Sequence, residues 1–462
     1  MIVDIDKDLC TGCRECVKVC PVDAIEGELG SPQEINADKC VICGQCVQQC
    51  KSYASIIDEG VEFVEEKRKS RNLPESVKEP IFAAFNTCDV DKVKKALSNP
   101  DLFTVVQCAP AVRVALSEDF GYELGELTPG KMASALKSLN FDRVYDTNYT
   151  ADLTIMEEGT ELIKRVTEGG TLPMFTSCCP AWVKYMEDNH PDLTNHLSSC
   201  KSPQQMAGTV FKTYGAEINK IDPATIYSVS IMPCTCKKFE ANRCEMNSSG
   251  YQDVDVVLTT RELAYLIKDM GIDFKNLEEE SFESPLGNYT GAGTIFGVTG
   301  GVMEAAIRTG YELITGNSIP NVDVTDVRGE EGFRTRNIQV GDLNLRVGIV
   351  SGLKNVGPVI EDLRNGKLEL DFIEVMTCPV GCVSGGGQPK ILLEEYRQRA
   401  YENRTKSTYR HDENLAIRKS HENPDIVKIY EDYFGEPLGH KSHHLLHTEY
   451  CLDKELSMEG CE

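Results

Sequence analysis

Two stretches near the N-terminus repeat one spacing of thiols. Residues 10 to 20 read C-T-G-C-R-E-C-V-K-V-C and residues 40 to 50 read C-V-I-C-G-Q-C-V-Q-Q-C, so C-x2-C-x2-C-x3-C occurs twice, 30 residues apart. A tight loop carrying three thiolates can hold three corners of an Fe4S4 cube, and the fourth cysteine, thrown onto the next helical turn, reaches the cube of the other repeat. On that pattern Cys10, Cys13, Cys16 and Cys50 bind one cluster, and Cys40, Cys43, Cys46 and Cys20 the other. Two zinc sites are the alternative, but zinc ligation pairs two C-x2-C units over a longer gap and asks for no third thiol at x2 or fourth at x3. Pro21 follows Cys20 as the motif asks, whereas Lys51 follows Cys50, which leaves ligation untouched.

Further thiols lie far apart in the chain. Cys178 and Cys179 are neighbours in MFTSCCPAWVKY, where a disulfide between them would be strained, so two separate tasks are the simpler reading. Cys234 ends an apolar run in IMPCTCKKFEANRC, and Cys378 and Cys382 stand in FIEVMTCPVGCVSGGGQP. Cys179, Cys234, Cys378 and Cys382 would complete one more cube. In IMEEGTELIKRV, Glu158 and Glu161 are i and i+3 on one helical face; the plain reading is a solvated acidic face, with Glu161 paired to Arg165 at i+4. If C-T-C-K is extended, Cys236 points to the same side as Cys234, either facing a site or simply packed.

Past residue 80, β-branched runs (FTVVQCAPAVRVAL, TIYSVSIMPC, LRVGIVSGL, DFIEVMTC) alternate with helical patterns such as GKMASALKSL and RELAYLIKDM, an α/β reading in which loops at strand ends carry the chemistry. Residues 58 to 80 are charged and broken by prolines, as a connector would be. The length suits about two or three domains.

Acidic residues outnumber basic ones by 73 to 48, a formal net charge of −25, which argues against nucleic acid or an anionic membrane surface as a partner. MIVDIDKDLC has neither a basic n-region nor an apolar core, and no stretch approaches a membrane span, so a cytoplasmic protein is the expectation. In a reducing compartment 20 cysteines point to metal ligation and catalysis rather than to bridges.

Residues 1 to 57 resemble bacterial two-cluster ferredoxins. TSCCPAW (176 to 182), MPCTCKKFE (232 to 240) and EVMTCPVGCVSGGGQP (374 to 389) resemble, in order, the three signatures of the [FeFe]-hydrogenase large subunit, and the C-terminal RKSHENPDIVKIYEDYFGEPLGHKSHHLLHTEY looks like the small subunit fused behind it. The resemblance implies a catalytic α/β (α+β) domain of two mixed sheet lobes flanked by helices, over 81–400, behind a small ferredoxin-like α+β domain and ahead of a helical 401–462. It implies an H-cluster: an Fe4S4 cube on Cys179, Cys234, Cys378 and Cys382, with Cys382 bridging to a two-iron unit that carries CO, cyanide and an azadithiolate. Lys237 would donate to a cyanide; Met232, Pro233, Met376, Ala109, Pro110, Gln204 and Phe296 would surround the irons, with Cys236 and Cys108 undecided. Cys178 resembles the family's terminal proton carrier, a task that suits a thiol of lowered pKa, although packing is the bland reading of an adjacent cysteine. Arg165, Glu161, Ser198, Glu158 and an ordered water would lead protons to it.

The resemblance further implies H2 and protons as substrates, a ferredoxin or flavodoxin as electron partner, and maturation proteins that deliver the two-iron unit. A sensory hydrogenase and an iron-sulfur assembly factor are the rivals; the second typically lacks the first cysteine of the CC pair, present here as Cys178. Docking in an electron-bifurcating complex stays open. Cys88, Cys200, Cys244, Cys451 and Cys461 match no motif, the last two being expected at an exposed or disordered end. His440, His443, His444 and His447 have a spacing that could hold a metal, but the family's similar histidines carry none.

Overall fold

The two four-thiol loops each run into a single helical turn, Glu15–Val19 and Gln45–Gln49, entered through a left-handed residue, Arg14 at φ 60° and Gly44 at φ 71°. Cys20 and Cys50 cap the ends of those turns, so the fourth thiol of each motif is carried one turn away from the other three. In this computed structural model, which describes residues 1–330 and 332–450, the two turns pack together. Cys451 and Cys461 lie outside the described residues.

Three short antiparallel pairs frame the loops: Val3–Ile5 with Ala84–Asn86, Ile25–Glu26 with Glu34–Ile35, and Tyr53–Ala54 with Ile81–Phe82. Residues 81–86 pair with the front unit, beyond the boundary expected at 80, because among the described residues its strands at 3–5 and 53–54 have no other partner. The connector helix Val61–Ser70 is tied back by Lys67 and, just past its end, Arg71, 3.1 and 2.8 Å from Asp6.

The large body holds two four-stranded sheets. One, in the order Val256–Thr259, Ile226–Met232, Phe103–Cys108, Arg143–Asp146, is parallel throughout rather than mixed. Its strands read as near-continuous apolar runs because both faces are covered. The other, Phe333–Val340, Leu343–Ser351, Phe372–Met376, Met174–Phe175, is mixed: its first pair is antiparallel and the rest parallel.

Helix Thr147–Glu168, capped by Asp146, joins the two halves. Tyr149 and Leu153 enter the core under the parallel sheet, while Ala151, Ile155 and Leu162 enter the core under the mixed one. A helix apolar on two faces is fixed in rotation, and that rotation aims Glu158 and Glu161 inward, both buried.

The boundary expected at 400 falls inside helix Glu394–Asn414. Two buried ion pairs lock this helix to the large body: Arg404 with Glu118 at 2.5 Å, and Asp412 with Arg308 at 2.8 Å. Among the described residues no helix is long and apolar enough to cross a membrane.

Candidate active site

Four thiols reach one cavity from the ends of strands in both sheets. Cys179 caps helix Pro180–Asn189, whose Pro180 needs no hydrogen-bonding N–H at that position. Cys234 lies two residues beyond strand Ile226–Met232 and Cys378 two beyond Phe372–Met376, while Cys382 opens a short turn just after. All four line the cavity with Cys178, Lys237, Ala109, Pro110, Gln204, Met232, Pro233, Phe296 and Met376. Cys108 is not among the lining residues: its side chain lies in the core under the parallel sheet, one residue before the chain turns to the cavity.

Burial, reinforced by the neighbouring thiols, pushes Cys234 up to about 11 and Cys378 well above the usual range. Four sulfurs crowded in an apolar enclosure suit an iron-sulfur cube, which takes them as thiolates and supplies the compensating charge. Close backbone packing requires the glycines of the third motif. A Cβ on Gly385 would stand 2.2 Å from the Pro233 carbonyl oxygen, and one on Gly386 2.3 Å from that of Cys43.

Lys237 extends into the cavity with its ammonium held from behind. Nζ donates to both carboxylate oxygens of Glu240, at 3.0 and 2.9 Å, and to the Cys178 carbonyl at 3.1 Å. Glu240 also accepts from Ser202 Oγ at 2.8 Å and Gln204 Nε2 at 3.0 Å, and Gln204 Oε1 accepts from Ser230 at 2.9 Å. Sequence reasoning passed over this carboxylate, although it is the closing Glu of MPCTCKKFE; burying a lysine calls for such a partner. Glu374, which opens the third motif, was also missed: it accepts from the N–H groups of Gly300 and Met303 at 2.6 and 2.8 Å and anchors the start of helix Gly301–Thr315.

A line of polar groups runs from the surface towards Cys178. Arg165 Nη2 sits 2.6 Å from Glu161 Oε1, so the i+4 pair forms, and Ser198 Oγ donates to Glu161 Oε2 at 2.8 Å. Glu158 makes no hydrogen bond of ordinary geometry, although the Ser198 hydroxyl and the Ser177 N–H lie close enough to pull its pKa down. Burial, helped by the charge of Glu161, outweighs them and pushes Glu158 up to about 8. An unsatisfied buried carboxyl next to a thiol fits an ordered water between them. The Cys178 thiol departs from expectation: burial and the adjacent Glu158 push its pKa well up, and Lys237 only partly offsets them.

The front unit abuts the same centre. Gln45 Nε2 lies 3.2 Å from Cys378 Sγ and 3.1 Å from the Ser384 carbonyl oxygen, Gln48 Nε2 donates to the Gln388 carbonyl at 2.7 Å, and Cys43 lines the cavity. Within the front unit, Cys16 lies near Cys50, Cys10 and Cys13, and Cys43 lies near Cys40 and Cys20 as well as near Cys234 of the large body. Burial pushes Cys16 up to about 12.

Cys236 does not face the cavity. Thr235 is helical (φ −79°, ψ −29°) rather than extended, so Cys236 becomes the first residue of helix Cys236–Ala241 and turns into the core with Val41, Phe175 and Trp182. Of the unmatched cysteines, Cys88 is buried in the core under the parallel sheet. His440, His443 and His444 are exposed and form no common site, whereas His447 is buried.

The model of the iron-only hydrogenase large subunit, C-terminal domain, matches residues 103–386. The chain belongs to the iron-only, or [FeFe], hydrogenase family. A 4Fe-4S dicluster domain matches residues 2–51 and the iron hydrogenase small subunit matches 398–451. The chain is 48% identical over 365 residues to the NADP-reducing hydrogenase subunit HndD of Solidesulfovibrio fructosivorans, covering 78% of this chain but only 62% of that one. It is 45% identical over 389 residues to the periplasmic [Fe] hydrogenase large subunit of Nitratidesulfovibrio vulgaris, covering 84% and 86%. The solved structure of an apo [FeFe]-hydrogenase from Chlamydomonas reinhardtii superposes with TM-score 0.68 at 41% identity, over 78% of this chain and 98% of that one. The family's cofactors, two Fe4S4 clusters in front and the H-cluster behind, fit the three sets of thiols.

Proposed function

We propose that this protein is a ferredoxin-dependent [FeFe]-hydrogenase that interconverts protons and electrons with H2. The observation that carries the reading is the convergence of Cys179, Cys234, Cys378 and Cys382 on one enclosed cavity, with Cys178 on its wall and Cys43 of the front unit at its edge. When bound there, the H-cluster supplies the electrons, the open metal position and the local base at which protons and H2 interconvert.

The chain's residues do the rest. Cys179, Cys234 and Cys378 would hold the cube, and Cys382 would serve both the cube and the two-iron unit. Lys237, kept charged by Glu240 and held by it and by the Cys178 carbonyl, would set its positive charge beside the ligands of that unit. Met232, Pro233, Met376, Phe296, Ala109, Pro110 and Gln204 enclose it and exclude water. Glu161 takes protons at the Arg165 end, the Ser198 hydroxyl passes them on, and Glu158, poised near neutral pH, exchanges with the Cys178 thiol through a water. Cys10, Cys13, Cys16 and Cys50 would hold one front cluster and Cys40, Cys43, Cys46 and Cys20 the other, which would supply one-electron transfer, the second lying on the side where Gln45 touches Cys378.

An iron-sulfur assembly role is disfavoured by Cys178 and the buried carboxylates beside it. We place the protein in the cytoplasm on its cysteine content, although the Nitratidesulfovibrio relative is named as periplasmic. The test is H2 evolution by the fully matured chain, driven by reduced ferredoxin and separately by a reduced viologen dye. Evolution with both is expected; none with either would refute the hydrogenase reading, and evolution with the dye alone would refute the ferredoxin partner.

A further inference from the structure

Cys200 and His447 belong to no cluster motif, yet the fold brings them against Glu161. The last described stretch of chain lies beside residues 199–201: Lys201 N–H donates to Leu446 at 2.9 Å, and Thr448 N–H to Ser199 at 2.8 Å. This pairing sets His447 opposite Cys200. Cys200 Sγ is then 3.8 Å from His447 Nδ1 and 3.9 Å from Glu161 Oε2, and one ligand atom from each of the three residues lies within 4.8 Å of the other two. Metal bonds of about 2.0–2.3 Å in a tetrahedral zinc site set ligand atoms roughly 3.3–3.6 Å apart, so a contraction of a few tenths of an ångström closes both separations to the sulfur.

We propose that Cys200, His447 and Glu161 form a binding site for a borderline-soft divalent cation of the zinc class. The surroundings are those of a metal-ligating histidine. His447 Nε2 lies 3.0 Å from Glu157 Oε2, and Glu157 in turn accepts from Tyr430 Oη and the Leu438 N–H, so a fixed carboxylate orients the ring and leaves Nδ1 for the cation. Ser199 Oγ, 2.8 Å from Nδ1, supplies or yields the fourth position. Glu161 keeps Oε1 for Arg165, while Oε2 already accepts from Ser198 Oγ and the Ser199 N–H and takes the cation as well. Thiolate, imidazole and carboxylate together select zinc over calcium or magnesium. The three ligands are buried, but exposed His443 stacks on His447 at 4.6 Å and offers a landing point from solvent. Binding turns the Cys200 thiol into thiolate and releases one proton to solvent.

The consequence rests on the proton route proposed above: a cation on Glu161 closes its entrance, so zinc inhibits turnover. The test uses fully iron-loaded, chelator-washed protein given a small excess of zinc sulfate and desalted. One zinc per chain is expected, with a single sulfur and otherwise nitrogen or oxygen in its X-ray absorption shell, and at least about tenfold weaker retention in Cys200→Ala and His447→Ala. No retained zinc, a four-sulfur shell, or equal retention in both variants would overturn the site. Zinc retained in the expected shell with turnover unchanged supports the site and refutes Glu161 as the proton entrance.

Discussion

Glu158→Gln separates the proton route from mere packing, because it changes two quantities in opposite directions. The side chain keeps its shape but can no longer take up and release a proton, and losing one general acid–base group costs turnover about 10²- to 10⁴-fold. Stability moves the other way. Burial raises Glu158 from 4.5 to about 8, so between those values the folded chain binds more protons than the unfolded chain, and stability falls as pH rises. Between pH 6 and 8 that one group destabilises the native protein by about 2 kcal/mol, taking 1.36 kcal/mol per unit. Glutamine carries no such penalty. Urea unfolding of matched cluster-loaded samples at the two pH values should therefore show the variant losing about 2 kcal/mol less than the native chain, while its H2 evolution collapses. Turnover above half the native rate would refute the relay; parallel loss of stability in both proteins would refute the raised pKa of Glu158.

Gly386→Ala places a methyl against the Cys43 carbonyl and the Gly44 backbone, which cannot yield as a flexible side chain would. Overpacking of this kind costs about 1–3 kcal/mol and pushes the front unit off the catalytic cavity, so ferredoxin-driven turnover should fall more than dye-driven turnover; an equal fall in both would contradict this. Arg308→Met leaves Asp412 buried with only Arg418 beside it and Glu304 with Arg328, and should lower unfolding stability by about 3–5 kcal/mol; a loss below 1 kcal/mol would show that the C-terminal helix is held by other contacts. Cys236→Ala should leave the oxygen sensitivity and the infrared bands of the matured enzyme unchanged, with a cost of about 1 kcal/mol in packing; altered bands would return Cys236 to the site.

The two thiol loops of the front unit were legible in the sequence because thiol spacing is a local property: C-x2-C-x2-C-x3-C dictates a loop and a helical turn whatever surrounds it. The assembly of Cys179, Cys234, Cys378 and Cys382 was not in the spacing, since their convergence depends on two sheets; it came through the resemblance of their motifs. Strands 81–82 and 84–86 were not legible as partners of the front unit because their pairings reach about 30 to 80 residues back, which local composition does not encode. Cys236 stayed undecided in the sequence because strand and helix start give opposite directions to i+2, and Thr235 chose the helix. Glu240 stood in a quoted motif, yet only the fold shows it gripping Lys237. The high pKa of Cys178 follows from burial, which a sequence states only indirectly.

In the proposed function Cys179 and its three partners hold the cofactor while Cys178, one residue away, moves protons and holds nothing. Infrared spectra of the matured Cys178→Ala variant, taken beside its H2 evolution, test this most directly. CO and cyanide bands and an iron content like those of the native chain are expected, with turnover reduced at least about 100-fold. Bands lost together with activity would make Cys178 a part of the cofactor's support, and activity kept with the bands would remove it from the proton route.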